Sequence, residues 1–140
     1  MAEAIFKHKV AMRELDSQFE IDSCGTSDYH VGQDPDERTI ENAAQNGVPI
    51  SHKARQLRRS DLEYYDLLLA MDENNLSNIL RLAEHEEHRL KIRLMRHYDN
   101  ENPGAEVPDP YFGGRRGFQD VFDILERSCE NLLDNLMKKS

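Results

Sequence analysis

Asp66-Leu67-Leu68-Leu69-Ala70-Met71-Asp72 is the stretch that decides the fold. An unbroken apolar run held between two acids is short for a helix and lacks the alternation of a half-exposed strand. It suits a strand buried on both faces of a parallel sheet. Asp72 stands where a helix cap belongs, and Leu76, Ile79, Leu80 and Ala83 then share one face of the helix it opens. Downstream, Lys91-Ile92-Arg93-Leu94-Met95 reads as a second short strand. Phe118, Val121, Phe122, Leu125, Cys129, Leu132, Leu133 and Leu136 keep helical spacing through a long last helix. Upstream, Arg58-Arg59-Ser60-Asp61-Leu62 reads as a short helical turn. Asp34-Pro35-Asp36-Glu37 predicts a helix start, with a cap, Pro at the first helical position and acids in the first turn. Ile40, Ala43 and Ala44 form its buried side, and Gly47 ends it.

Earlier still, Gln18-Phe19-Glu20-Ile21-Asp22 alternates like a strand and runs into the small-residue loop Ser23-Cys24-Gly25-Thr26-Ser27. Met1, Ala4, Ile5, His8, Ala11, Met12 and Leu15 fall at helical spacing before it, with no Ser, Thr, Asp or Asn in front to cap the first amides. Helices alternating with strands are the grammar of an α/β domain with a parallel sheet. Such sheets bind ligands beyond the carboxyl ends of their strands. The loops expected there are Ser23 to His30, Met71 to Asn75 and Val107 to Gly117.

The composition narrows the class. The 140 residues carry 18 Lys+Arg against 27 Asp+Glu, a formal net charge of −9, which argues against a nucleic-acid binder. No apolar run reaches the roughly 18 residues of a membrane span. Two cysteines, Cys24 and Cys129, make no disulfide framework and suggest a reducing, cytoplasmic setting. The expectation is a soluble, acidic, single domain over residues 1–140.

Asp109-Pro110-Tyr111-Phe112-Gly113-Gly114 is the most informative loop. An acid held between prolines and followed by two aromatics could protonate a leaving oxygen while the rings clasp a flat group. The same residues also fit a proline-rich turn with its aromatics folded inward. His85-Glu86-Glu87-His88 spaces two histidines as a metal pair would, but with no evident third ligand the expectation is a solvated, charged helix surface. Cys129 lies on the apolar stripe of the last helix and reads as a small buried hydrophobe. Cys24 sits in a loop after a strand, yet the residue six beyond it is His30 rather than arginine. Both cysteines are therefore expected to be structural. Ser23 and His52 read as satisfied polar groups, and the basic stretch Lys53 to Arg59 as solvated surface.

Five blocks in order, MAEAIF, DSCGTSDYHVG, DPDERTIENAAQNGVPISHKARQL, YDLLLAMDENNL and VPDPYFGGRRGFQDVFDILERSCENLL, resemble the low-molecular-weight protein-tyrosine phosphatases over nearly the whole chain. The resemblance implies a four-stranded parallel sheet in an α/β/α arrangement. It also implies hydrolysis of phosphotyrosine, in proteins or aryl phosphates, through a phosphocysteine, with no cofactor or metal. By position Asp109 matches the general acid; Tyr111 and Phe112 match the aromatic pair at the site, and Tyr29 the opposite wall. Ser23 and His52 match groups that brace the phosphate loop, and Glu3 and Asp72 the acids that hold the loop's arginine. Arg115 and Arg116 follow the glycines and suit a site mouth that favours acidic phosphopeptides.

One block of the family pattern is missing from these residues. In the family a central strand and a Cys-x5-Arg loop directly precede the MAEA segment. Cys24 and Cys129 cannot stand in, because positions 30 and 135 are His30 and Asn135. The chain is therefore expected to be N-terminally incomplete as a phosphatase domain and inactive by itself. A second expectation, from another class, is a non-catalytic phosphatase-like binding protein that completes its sheet with a partner or a second copy. A homodimer thus stays open. The arsenate reductase branch of the same fold is disfavoured by two widely separated cysteines.

Overall fold

A computed structural model of the chain describes residues 1–26, 36–50, 55–110 and 114–138. In chain order these form α1 (Ala2–Met12), α2 (Glu37–Gln45), α3 (Arg59–Tyr64), β1 (Leu68–Ala70), α4 (Glu73–Leu82), α5 (Glu86–Leu90), β2 (Ile92–Leu94) and α6 (Gly114–Lys138), with single 3-10 turns at Asp16–Gln18 and Met95–Tyr98. β1 and β2 run parallel, pairing Leu68 with Ile92, Leu69 with Arg93 and Ala70 with Leu94. A lone parallel bridge joins Gly25 to Gln56.

The deciding apolar run behaves as its composition demands. Leu67, Leu69 and Met71 pack against a cluster built by Ile5, Phe6, Val10, Ala43, Phe122 and Leu133, from α1, α2 and α6. Leu68 and Ala70 point the other way, into Leu57, Leu62, Ile79 and Ile92. Side chains of a strand alternate between faces, so a strand covered by helices on both sides must be apolar throughout. The molecule is thus an α/β fold with a parallel sheet and helices on both faces. Among the described residues that sheet has two strands, not four.

Local chemistry sets the helix ends. Asp72 accepts the Asn75 amide at 2.7 Å and caps α4 as expected. Gly47 adopts φ +80°, which lets its own amide reach the Ala44 carbonyl and the Val48 amide reach that of Ala43. α1 and α6 are clamped by apolar contact and by Lys9 on Glu130 at 2.9 Å and Arg13 on Asp134 at 2.7 Å.

Several expectations need correction. The cap of α2 is Asp36, whose carboxylate accepts the Arg38 amide at 2.8 Å; Asp34 and Pro35 lie outside the described residues. Residues 18–22 do not form a strand. Phe19 and Ile21 are half-buried and Glu20 and Asp22 exposed, so the alternation is real, but no ladder partner lies beside it among the described residues. The buried face of α1 is Ile5, Phe6 and Val10, whereas His8, Ala11 and Met12 face solvent. Lys9 and Arg13 explain the rotation, since they lie along the border with α6 and pair with its acids. Leu80 is exposed, because Ile79 takes the buried position and Leu76 and Ala83 only flank it.

Candidate active site

Three loops meet at the carboxyl end of β1, where a ligand site belongs in a parallel α/β sheet. The Val107 amide donates to the Met71 carbonyl at 2.7 Å, and the Glu73 amide to the Glu106 carboxylate at 2.7 Å. These bonds bring the segment carrying Asp109 beside Asp72. On the other flank, Asn78 and Asn75 of α4 donate to the Thr26 hydroxyl at 3.3 and 3.5 Å, drawing in the small-residue loop. The described parts of the three loops expected from sequence to share one end of the sheet therefore do so; residues 27–30 and 111–113 lie outside the described residues.

The first turn of α1 is tied to the same place. Ser23 Oγ donates to Glu3 Oε1 at 2.6 Å, and Lys7 holds Glu3 Oε2 at 2.8 Å. Glu3 keeps only 8% of its side chain exposed. A nearly buried carboxylate needs such partners, since desolvating a lone charge is costly. Arg55 locks the neighbouring backbone. Its guanidinium reaches Asp22 at 2.9 Å and Asp61 at 3.0 and 3.2 Å, and these acids raise its pKa further above the usual arginine value. Asp61 in turn accepts the Arg58 amide at 2.8 Å and fixes the start of α3.

Of the residues singled out from sequence, the structure brings Glu3 and Ser23 into direct contact and places Asp72 at the head of α4. Asp109 is exposed, two residues beyond Val107. Tyr29, His30, His52, Tyr111 and Phe112 lie outside the described residues, as does the Arg115 side chain; Arg116 is exposed. The basic stretch was misread in part, because Arg55 is a half-buried brace and not solvated surface. Thr26, Asn75 and Asn78 were missed as well. Their polarity is ordinary, and only the crossing of chain segments distant in sequence reveals the contact.

Neither cysteine is activated. Burial pushes the Cys129 thiol up to about 12, and its Sγ lies 3.9 Å from the Ala2 carbonyl. Desolvation also raises Cys24, with the charge of Arg55 opposing it. A nucleophilic cysteine needs the opposite shift, toward thiolate at neutral pH.

The histidine pair also differs from expectation. His85 is the residue before α5, and His88 is 3% exposed rather than solvated. A third group does exist, since Glu63 of α3 lies 2.6 Å from His88 Nε2 and 3.4 Å from His85 Nε2. Linear spacing could not reveal a partner so far upstream.

The family model for low molecular weight phosphotyrosine protein phosphatase matches residues 1–140. The chain is 40% identical over 137 residues to the low molecular weight phosphotyrosine protein phosphatase of Schizosaccharomyces pombe, covering 97% of this chain and 87% of the yeast protein. It is 39% identical over 135 residues to a low molecular weight protein-tyrosine-phosphatase of Streptomyces coelicolor, covering 95% and 82% of the two chains. The crystal structure of a protein tyrosine phosphatase from Entamoeba histolytica superposes with a TM-score of 0.93 at 36% identity, over 99% of this chain and 88% of that one. The fold and its loops define a phosphatase-type α/β protein. The chain belongs to the low molecular weight phosphotyrosine protein phosphatase family.

Proposed function

We propose that this chain supplies the leaving-group side and the supporting frame of a phosphotyrosine hydrolase. The substrate is a phosphotyrosine protein or another aryl phosphate, cleaved through a phosphocysteine. Asp109 protonates the departing tyrosine oxygen. Tyr29, Tyr111 and Phe112 hold the ring, while Glu3, Ser23, His52 and Asp72 brace the loop that binds phosphate. No cofactor or metal takes part in the reaction; residues 1–140 belong to a single domain that works in the cytoplasm, without nucleic acid or membrane.

The observation that supports this reading is the convergence at the end of β1: Met71 on Val107, Glu73 on Glu106, Thr26 on α4 and Glu3 on Ser23. These bonds tie the segment that leads to Asp109 to the end of β1, and the Glu3 carboxylate to the small-residue loop. Residues 1–140 hold no Cys-x5-Arg, and both thiols sit above their ordinary values. The 140 residues by themselves therefore lack the nucleophile and the guanidinium that would hold the equatorial phosphate oxygens. Turnover requires a Cys-x5-Arg segment joined ahead of α1.

The test uses the chain with such a segment joined, assayed on aryl phosphates of graded leaving-group pKa. Asp109→Asn should slow the substrates with the poorest leaving groups most, by about 10²–10⁴-fold, the usual worth of general acid catalysis. An equal loss across the series would reject Asp109 as the acid. In the same background, Arg115→Ala/Arg116→Ala should lower kcat/KM for acidic phosphopeptides and spare neutral ones. Unchanged preference would dismiss the two arginines as selectivity determinants.

A further inference from the structure

We propose that Glu63, His85 and His88 form a binding site for a first-row divalent cation, zinc by preference, where α3 meets the start of α5. The donor set carries the idea. Two imidazole nitrogens and one carboxylate oxygen lie within 4.8 Å of one another. That combination serves zinc with three protein ligands and a water, and the absence of a thiolate disfavours softer ions.

The geometry is close to what the ion needs. Zinc bonds of about 2.0–2.1 Å in a tetrahedron set ligand atoms roughly 3.3 Å apart. His85 Nε2 already lies 3.4 Å from Glu63 Oε1. His88 Nε2 is nearer, at 2.6 Å, so the Glu63 carboxylate must swing back to admit the ion. It can do so, because its side chain is 64% exposed. His88 is 3% exposed, so its ring is already held in place, while the exposed His85 and Glu63 leave a route for the metal and a position for water. The two rings lie against each other at a tilt of 38°, with centroids 3.9 Å apart.

Binding also requires a proton to move, and this gives the site a signature. The Glu84 amide donates to His88 Nδ1 at 3.1 Å, so the neutral ring carries its proton on Nε2, directed at Glu63. A metal at Nε2 displaces that proton. The ring stays neutral only by taking a proton at Nδ1, and the Glu84 amide must then turn away from it. One backbone hydrogen bond is exchanged for a metal bond. The ion would pin α3 to the turn between α4 and α5, which the exposed Arg59–Glu84 pair at 3.2 Å otherwise bridges. This site is independent of the phosphatase reading.

Zinc titrated into the metal-stripped 140-residue chain should bind one equivalent by calorimetry and raise Tm, as any ligand of the folded state does. Glu63→Gln and His85→Gln, both at exposed positions, should each weaken binding by about tenfold or more; removing even an outer-shell partner of a metal ligand costs that much. The Glu84 amide resonance should shift on zinc addition, and stay unchanged in the Glu63→Gln/His85→Gln double variant. Absence of zinc binding, undiminished affinity in the double variant, or an unmoved Glu84 amide would each overturn the proposal.

Discussion

Gly117 is the residue on which the acid loop rests. A Cβ built there would stand 2.8 Å from the Pro110 carbonyl oxygen and 3.6 Å from its carbonyl carbon. Both atoms are backbone, of a residue with a rigid ring, directly after Asp109. Alanine ordinarily gains about 1 kcal/mol over glycine inside a helix. Overpacking against backbone costs about 1–3 kcal/mol, so the clash should win. Gly117→Ala is expected to lower the urea midpoint, and a raised midpoint would show that Pro110 yields without cost. Gly47 differs. Nothing lies within 4 Å of its added Cβ, but its φ of +80° is strained for any L side chain. Gly47→Ala should therefore cost about 1–2 kcal/mol through backbone conformation alone. An unchanged midpoint would mean that the end of α2 refolds into another turn.

Between elements, the decisive contact is the one Asp99 makes. Its fully buried carboxylate accepts Arg96 Nε at 2.9 Å, Arg127 Nε at 2.8 Å and the Glu101 amide at 3.0 Å, joining the turn after β2 to α6. The Arg127 hydrogen bonds, aided by the Glu101 amide and Arg96 and opposed by burial, hold this carboxyl well below the usual range. A folded-state pKa below the unfolded value contributes stability that is complete above about pH 4 and is lost as pH falls toward the folded value. Acid titration of stability should show that loss, and Asp99→Asn should flatten it. At neutral pH the variant should be about 3–5 kcal/mol less stable, because Arg96 and Arg127 keep their charge without its partner. An equal acid slope in parent and variant would contradict the assignment. Nothing in the sequence marks Asp99, one acid among 27. The helices were more legible. The strict spacing from Phe118 to Leu133 matched the buried face of α6, and Asp72 its capping role, because each reflects a periodicity or a local bond. α1 was misjudged, since Lys9 and Arg13 are polar by type yet line its border with α6, a choice that the partner helix makes.

For the whole molecule, the parallel α/β architecture was legible because Leu67 to Met71 are apolar on both strand faces, and only burial from both sides requires that. The number of strands was not. Phe19 and Ile21 alternate as a strand would, and whether they form one depends on a neighbour that their own residues do not specify. Loops gathered at one sheet end were legible from the alternation of elements, whereas the contact between Glu3 and Ser23 was not, and the roles that the resemblance gives them belong to the proposed function. The ties that join the loops, Met71 to Val107 and Thr26 to Asn78, link segments tens of residues apart and leave no local trace. Under the proposed function, residues 1–140 frame a phosphatase site whose nucleophile lies in a Cys-x5-Arg segment. Hydrolysis of p-nitrophenyl phosphate tests it most directly, by the 140-residue chain and by the same chain joined to such a segment ahead of Met1. No turnover above background is expected for the first and steady turnover for the second. Steady turnover by the 140 residues alone, or none by the joined and folded chain, would contradict it.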